Sequence, residues 1–159
     1  MLIRACAIAA CAVVLSSCAS VDSNAPAASP GSALGSSPTL VGAWEVTVNR
    51  ARGTGKNLLT FSSDGTFFRS GDTHPVLSGG HGAWKLVAPN QYQASYVAFS
   101  FDQSGKWVGI NRNNLQVDLG SDGNEFKGTV RSSYRDLEGN EISKGTSPLA
   151  GKRIQVQPF

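Results

Sequence analysis

The chain contains two histidines, His74 and His81, and imidazole is the side chain that titrates nearest neutral pH. Both lie in or beside a glycine-rich segment. The bracket Gly80-His81-Gly82 lets the backbone approach another group closely, which would suit a general base or a hydrogen-bond donor at a pocket rim. The alternative is a turn histidine that leads into the next strand, and the sequence favours this simpler interpretation.

Motifs for metal or nucleophile chemistry are not found in the sequence. No cysteine follows residue 18, and two loop histidines make a poor ligand set for a transition metal. The sequence has no Gly-x-Ser-x-Gly motif, phosphate-binding loop or dinucleotide fingerprint. Most carboxylates occur in turn sequences, whereas Glu45 and Asp118 alternate with apolar residues and should face solvent. We therefore expect no catalytic residue, no metal and no cofactor.

Residues 92–107 hold the densest group of aromatic side chains and offer the best candidate ligand surface. If Tyr96 points inward, its hydroxyl needs a polar partner. Nearby candidates for that partner are Asn111, Arg112 and Asn113, and this polar cluster could form a bulge aimed into the interior. The alternative is a packed aromatic core with a surface bulge. The candidate ligand-binding residues are therefore Tyr96, Phe99, Trp107, Asn111, Arg112 and His81.

Composition limits the architecture that could position these residues. The 159 residues are 40% hydrophobic, so one ordinary domain can build a core. Only 16% are charged, well under the usual quarter, which argues against a charged helical bundle or a coiled coil. The net charge of +3 is too small to indicate a nucleic-acid partner.

From residue 40 onwards, β-branched and aromatic runs alternate with short turn sequences, which is typical of antiparallel strands. Four turns contain a glycine suited to positive φ: Asp64-Gly65, Ser104-Gly105, Asp122-Gly123 and Gly139-Asn140. The sequence predicts ten strand segments, at residues 41–49, 57–62, 66–70, 82–87, 91–101, 106–112, 115–119, 125–134, 141–144 and 153–157.

Apolar and polar residues alternate along these segments. Trp44, Val46 and Val48 share one face of the first strand, and Leu115 and Val117 share one face of a later strand. One apolar and one polar face per strand indicates an antiparallel sheet closed around a core. We therefore predict an all-β fold, a single up-and-down barrel of about eight strands. A two-sheet β-sandwich is the alternative.

The amino-terminal sequence resembles the leader of a bacterial lipoprotein. The apolar run 5–15 is shorter than the ~20 residues of a transmembrane helix. It precedes Leu15-Ser16-Ser17-Cys18, which resembles the lipobox. The resemblance implies cleavage before Cys18, lipid attachment to its thiol, and loss of Cys6 and Cys11. An ordinary signal peptide with an incidental Cys18 is the alternative.

We predict three regions: a signal peptide at 1–17, a lipidated flexible tether at 18–39 and a β-barrel domain at 40–159. The tether has three prolines, one charge and no aromatic residue, so it cannot form a core. Several acyl chains at Cys18 would hold the protein stably on a membrane of the cell envelope. Ala19 resembles the residue that, in a diderm host, directs a lipoprotein to the outer membrane, where it would face the periplasm.

The start of the domain, Gly42-Ala43-Trp44, resembles the opening of calycins and lipocalins, in which the tryptophan plugs the closed end of a barrel. The resemblance implies that Arg153, near the end of the chain, crosses the Trp44 ring, a contact worth about 1 kcal/mol. The segments 80–84 and 97–102 resemble small secreted bacterial barrels of lipocalin-like or allene-oxide-cyclase-like architecture. This likeness implies a fold more than a function.

The leading hypothesis is a monomeric, non-catalytic envelope lipoprotein. Its barrel would bind a small apolar or amphipathic molecule, or an envelope partner. A dry, filled interior with no pocket above about 300 Å³ would contradict the small-ligand version. One alternative is a barrel-type cyclase or isomerase in which His81, Tyr96 and Arg112 converge. Another is a structural interaction module with a solid core and an exposed apolar patch.

Overall fold

The computed structural model of the protein describes residues 39–73 and 76–159. The predicted signal peptide and tether, Cys18 and His74 lie outside these residues. The described part is a closed barrel of eight antiparallel strands in which consecutive strands are neighbours. The predicted all-β barrel is confirmed, and the β-sandwich alternative is wrong. No helix within these two ranges is long and apolar enough to cross a bilayer.

The strands follow one another in a simple up-and-down order. They are β1 (Gly42–Arg50), β2 (Gly53–Phe61), β3 (Thr66–Gly71), β4 (Gly80–Ala88), β5 (Gln91–Phe101), β6 (Trp107–Leu119), β7 (Glu125–Arg135) and β8 (Glu141–Arg153). The barrel closes where β1 pairs with β8, from Trp44 opposite Arg153 to Val48 opposite Leu149. Closure satisfies the edges of the sheet by backbone hydrogen bonds.

Two observed strands were each predicted as two segments. β6 continues through Asn113 and Asn114 because both of its neighbours pair with it there. β8 continues through Gly145 and Pro148, two residues that are unfavourable in strands. Pro148 is accommodated because it lies beyond the last residue pair of β1 and β8, at Leu149, so the amide hydrogen that proline lacks is not required on that side.

The four predicted glycine turns are confirmed. Gly65, Gly105, Gly123 and Gly139 have φ values of 86°, 81°, 72° and 90°. These angles lie in the left-handed region, which glycine enters without the steric cost of a Cβ atom. The hairpins at these turns set the register of the strands and hence which side chains face the lumen.

One end of the barrel is closed by an apolar cluster. Trp44 is fully buried, its ring lies 4.9 Å from the Phe126 ring, and its indole nitrogen donates to the Leu40 carbonyl at 2.9 Å. Phe61 and Phe67 stack beside it at 4.6 Å between ring centroids. This layer forms the floor of the lumen.

Arg153 seals that end from outside, as the resemblance to calycins implied. Its guanidinium carbon lies 4.2 Å from the centroid of the Trp44 ring. Its nitrogens donate to three backbone carbonyls, those of Thr39 at 2.6 Å, Val41 at 2.6 Å and Gly123 at 2.8 Å. Arg153 therefore ties the start of the domain, a hairpin turn and the last strand together.

Replacing Arg153 by alanine is expected to lower the free energy of unfolding by about 2–3 kcal/mol, because three charge-assisted hydrogen bonds and a cation–π contact are lost. Arg153→Lys keeps the charge but loses the planar fork of N–H donors. Its free energy of unfolding should therefore lie between those of the unaltered protein and Arg153→Ala. Lys152→Ala removes a neighbouring exposed charge and should have no resolvable effect. Urea unfolding of the three variants measures the difference, and equal effects of the Arg153 and Lys152 alanine variants would contradict the sealing role.

Candidate functional site

The lumen contains a cavity of about 130 Å³ above the apolar floor. One part of its wall is aliphatic and the other part is polar. The aliphatic residues are Val46, Val48, Leu59, Leu77, Leu115, Val130 and Leu149, and the polar or amphipathic residues are Arg50, Asn57, Arg69, Thr73, Tyr96, Asn111, Asn113, Ser132 and Tyr134. Polar side chains inside a small barrel require an explanation, because each must be hydrogen-bonded or reserved for another partner.

Three glycines make room for the large side chains of the polar wall. A Cβ atom at Gly55 would overlap sterically with the Arg50 guanidinium. One at Gly71 would overlap with both the Arg69 guanidinium and the Asn57 amide oxygen. A Cβ atom at Gly80 would come within 2.5 Å of the Tyr96 ring. The glycines therefore let these side chains lie flat against neighbouring strands, which leaves the middle of the lumen open.

Arg69 is the most unusual member of the wall, because its side chain is charged and the residue is only 5% exposed. Its Nε donates to the Asn57 amide oxygen at 2.8 Å, and its Nη2 donates to the Thr73 hydroxyl at 2.8 Å. Its Nη1 makes only a long contact with the Ser78 carbonyl at 3.5 Å. All three acceptors are neutral, so Arg69 keeps its positive charge uncompensated by these contacts.

A chain of side-chain hydrogen bonds runs along β6 and β7. The Ser132 hydroxyl donates to the Asn113 amide oxygen at 2.6 Å, and the Asn113 amide nitrogen donates to the Asn111 amide oxygen. Asn111 is 2% exposed, and its own amide nitrogen has no partner within the described chain. The hydrogen-bonded series therefore ends on an unused N–H donor of a residue that lines the cavity.

Tyr96 contributes a protonated phenol to the same wall. Its ring lies 5.7 Å from the Phe67 ring, between the apolar floor and the polar wall. Burial raises the pKa of Tyr96 above its ordinary value, and the nearby positive charges of Arg69 and Arg50 oppose that rise. The hydroxyl is therefore neutral at physiological pH and can donate a hydrogen bond.

No Asp or Glu is among the described residues that line the cavity. The acidic side chain near its mouth is Asp72, which accepts a hydrogen bond from the Lys56 amide at 2.7 Å and lies 3.6 Å from the Arg50 guanidinium. Within residues 39–73 and 76–159, no group of three or more His, Cys, Asp or Glu side chains could hold a metal ion. The electrostatic character of the lumen is therefore set by arginine.

The structure places two of the six predicted ligand-binding residues, Tyr96 and Asn111, in the cavity wall. The other four face outward and do not line the cavity. Phe99 and Trp107 are 55% and 49% exposed and pack edge to face on the outer surface at 6.0 Å between centroids. His81 and Arg112 are also exposed, His81 against the exposed ring of Phe68.

The outward orientation follows from strand alternation. Asn111 and Asn113 share the inward face of β6 with Leu115, so Arg112 between them must point outward. Gly80 and Gly82 take the inward positions of β4 beside His81 by the same rule. Because His81, Tyr96 and Arg112 do not converge, the predicted arrangement for a cyclase or isomerase is wrong.

The predicted bulge at residues 111–113 is also wrong, because pairing with β5 is regular from Asp118 to Gly109. The irregularity falls instead between Ser100 and Phe101, where Val108 is the extra residue on β6. The predicted hydrogen bond from the Tyr96 hydroxyl to Asn111, Arg112 or Asn113 is not formed. The polar cluster enters the lumen by ordinary alternation rather than by a bulge.

Sequence reasoning missed most of the polar wall, including Arg50, Asn57, Arg69 and Ser132. The available signal was the alternation of β2, in which Gly55, Asn57, Leu59 and Phe61 share the inward face. An asparagine in an otherwise inward-facing set indicates a polar lumen. The same rule applies to Arg50, which lies two residues beyond Val48 on β1.

A larger groove of about 430 Å³ lies on the outer wall across β1, β2 and β6–β8. It is bordered by solvent-exposed charges such as Glu45, Lys56, Lys127 and Lys152. Two of these, Lys56 and Glu45, form an ion pair at 3.3 Å with about 60% of each side chain exposed. The groove holds no buried unpartnered polar atom, so the lumen is the better candidate site.

Comparisons of the chain with protein-family models, with curated proteins and with solved structures gave no match.

Proposed function

We propose that the protein is a lipid-anchored, monomeric binding protein of the bacterial cell envelope whose barrel holds one small amphipathic molecule in its lumen. The observation that carries this proposal is the divided cavity, with an aliphatic side and a buried polar side. A purely apolar lumen would be explained by core packing, and a wall of fully hydrogen-bonded polar groups would be explained by its contribution to stability. A buried wall with unused donors supports a ligand.

The cavity volume limits the ligand. About 130 Å³ is below the ~300 Å³ of a site for drug-sized molecules, so a deep lipocalin-like calyx is not supported. It is close to the ~150 Å³ of a protein cavity that accepts benzene. The cavity shows that the lumen is not filled, and nine of its lining residues carry polar groups. The ligand is therefore a compact molecule rather than a long acyl chain.

The proposed location depends on the amino-terminal sequence. The lipobox-like Leu15-Ser16-Ser17-Cys18 supports lipid attachment at Cys18, and the proline- and serine-rich segment that follows supports a tether. Such an arrangement would hold the barrel close to the membrane surface. Replacing Cys18 by serine should release the protein from the membrane fraction, and retention of that variant would contradict the anchor.

Narrowing the lumen tests ligand binding directly. Val130 lines the cavity, whereas its neighbour Thr129 is exposed on the outer face of the same strand. Val130→Phe fills part of the cavity and should weaken binding of benzoate or benzamide to the full chain at least about tenfold, a change of about 1.4 kcal/mol. Thr129→Phe adds the same ring outside and should leave binding unchanged. Isothermal titration calorimetry measures both, and circular dichroism checks that both variants are folded.

Equal affinity of the two phenylalanine variants would show that these probes bind outside the lumen. In that case the outer groove bordered by Lys127 and Lys152 becomes the site to test, and the lumenal proposal is withdrawn.

A further inference from the structure

The polar wall of the cavity carries more hydrogen-bond donors than its internal hydrogen bonds use. The amide oxygens of Asn57, Asn111 and Asn113 already accept hydrogen bonds from Arg69, Asn113 and Ser132. The Thr73 hydroxyl oxygen accepts from Arg69 as well. Each bond uses one donor and one acceptor, but Arg69 brings five N–H donors and no acceptor, so donors are left over.

The donors left over include the strongest in the lumen. A guanidinium carries five N–H groups, and Arg69 uses only one at Nε, one at Nη2 and one in a long contact at Nη1. The Asn111 amide nitrogen is fully buried and has no partner within the described residues. Both side chains line the same cavity. A ligand that enters the lumen therefore meets N–H groups that lack acceptors.

The polar wall is positively charged as well as rich in hydrogen-bond donors. Arg69 and Arg50 both line the cavity, and no carboxylate of the described chain lies within 4.0 Å of Arg69. Burying a cation without a partner is unfavourable, and a bound anion would relieve that cost.

We infer that the lumenal molecule is a small organic anion whose oxyanion group is bound by Arg69 and the Asn111 amide. This inference rests on the lumenal binding proposed above and names the chemical class of the ligand. The remainder of the molecule lies against the aliphatic side, on residues such as Leu59, Leu115 and Leu149. Monocarboxylates from butyrate, of about the size of benzene, to the somewhat larger benzoate match the charge and span the upper size limit that a cavity of about 130 Å³ sets.

Matched acids and amides of the same shape separate charge from fit. We would titrate the full chain with butyrate and benzoate, with the neutral butyramide and benzamide, and with ethyl phosphate. The acids should bind about 10- to 100-fold more tightly than the amides, because hydrogen bonds between two ionised partners are about twice as strong as neutral ones. Tighter binding of ethyl phosphate than of butyrate would assign the site to phosphate esters, the other source of an oxyanion.

Two substitutions of arginine provide the variant and its control. Arg69→Gln removes the buried, unpaired charge of the lumen and leaves Arg50, which lies 3.6 Å from the Asp72 carboxylate. Arg112→Gln removes an exposed charge next to Asn111 on the outward face. The first should erase the preference for acids over amides, whereas the second should leave it intact. Arg69→Lys should restore part of the preference, because it keeps the charge without the fork.

The possible outcomes distinguish the two proposals. If amides bind as tightly as acids and Arg69→Gln changes neither, the lumen binds a ligand but the assignment of an anion is wrong. If no probe binds, lumenal binding and the anion are overturned together. Should Arg69→Gln fail to fold, the side-chain amide NMR signal of Asn111 in the unaltered chain serves instead. At equal, sub-saturating concentrations it should shift more with benzoate than with benzamide, and an equal or larger shift with benzamide would refute the inference.

Discussion

Replacing Trp44 by alanine is expected to destabilise the barrel by about 3–5 kcal/mol, the largest effect of any substitution considered for this chain. The side chain is fully buried, and its removal opens a cavity beneath the lumen. It also removes the hydrogen bond to the Leu40 carbonyl and the surface on which the Arg153 guanidinium rests. Because small domains have only about 5–15 kcal/mol of stability, this loss is a large share of the total.

Trp107 provides a matched control for that prediction. It is 49% exposed on the outer wall, where it packs edge to face against Phe99. Trp107→Ala should cost about 1 kcal/mol or less, since a partly solvated pair is lost and no cavity forms. Guanidinium unfolding compares the two, with Trp44→Phe included in case the alanine variant does not fold. Similar midpoints for the two alanine variants would mean that Trp44 does not plug the barrel.

The sequence predicted the fold well because alternation and turn chemistry are local signals. Trp44, Val46 and Val48 are buried as their spacing indicates, and the glycine turns lie where the hairpins need positive φ. The strand ends were harder to predict. Gly145 and Pro148 have low strand propensity, and only pairing with β7 keeps them in β8. That pairing is a property of the closed sheet and not of the local sequence.

The candidate site was only partly predictable, for a different reason. Phe67 and Phe68 are adjacent, so the sequence does not say which of them faces the lumen or on which side Arg69 lies. Pairing of Phe67 with Gly82 and of Phe68 with His81 decides it, and Arg69 then faces inward with Phe67. Phe99 and Trp107 were chosen for being aromatic, although ring chemistry does not determine strand face.

Replacing Gly71 by alanine is expected to cost about 1–3 kcal/mol of stability, because the added methyl group overlaps atoms that cannot yield without loss. It would overlap sterically with the Asn57 amide oxygen and the Arg69 guanidinium, which are hydrogen-bonded to each other at 2.8 Å inside the barrel. Moving either group breaks that bond. The φ angle of Gly71 is not in the left-handed region, so the cost comes from packing and not from backbone strain.

Gly145 is the control, since it lies in β8 and a Cβ atom there meets nothing within 4 Å. Gly145→Ala should be neutral or stabilise by about 0.4–1 kcal/mol, because alanine restricts the unfolded chain more than glycine does. The two variants should therefore differ by about 2 kcal/mol in urea unfolding. Gly71→Ala should also lose the preference for benzoate over benzamide, because the guanidinium no longer lies flat against β2. A stable Gly71→Ala variant that keeps this preference would show that the glycine does not hold Arg69 in place.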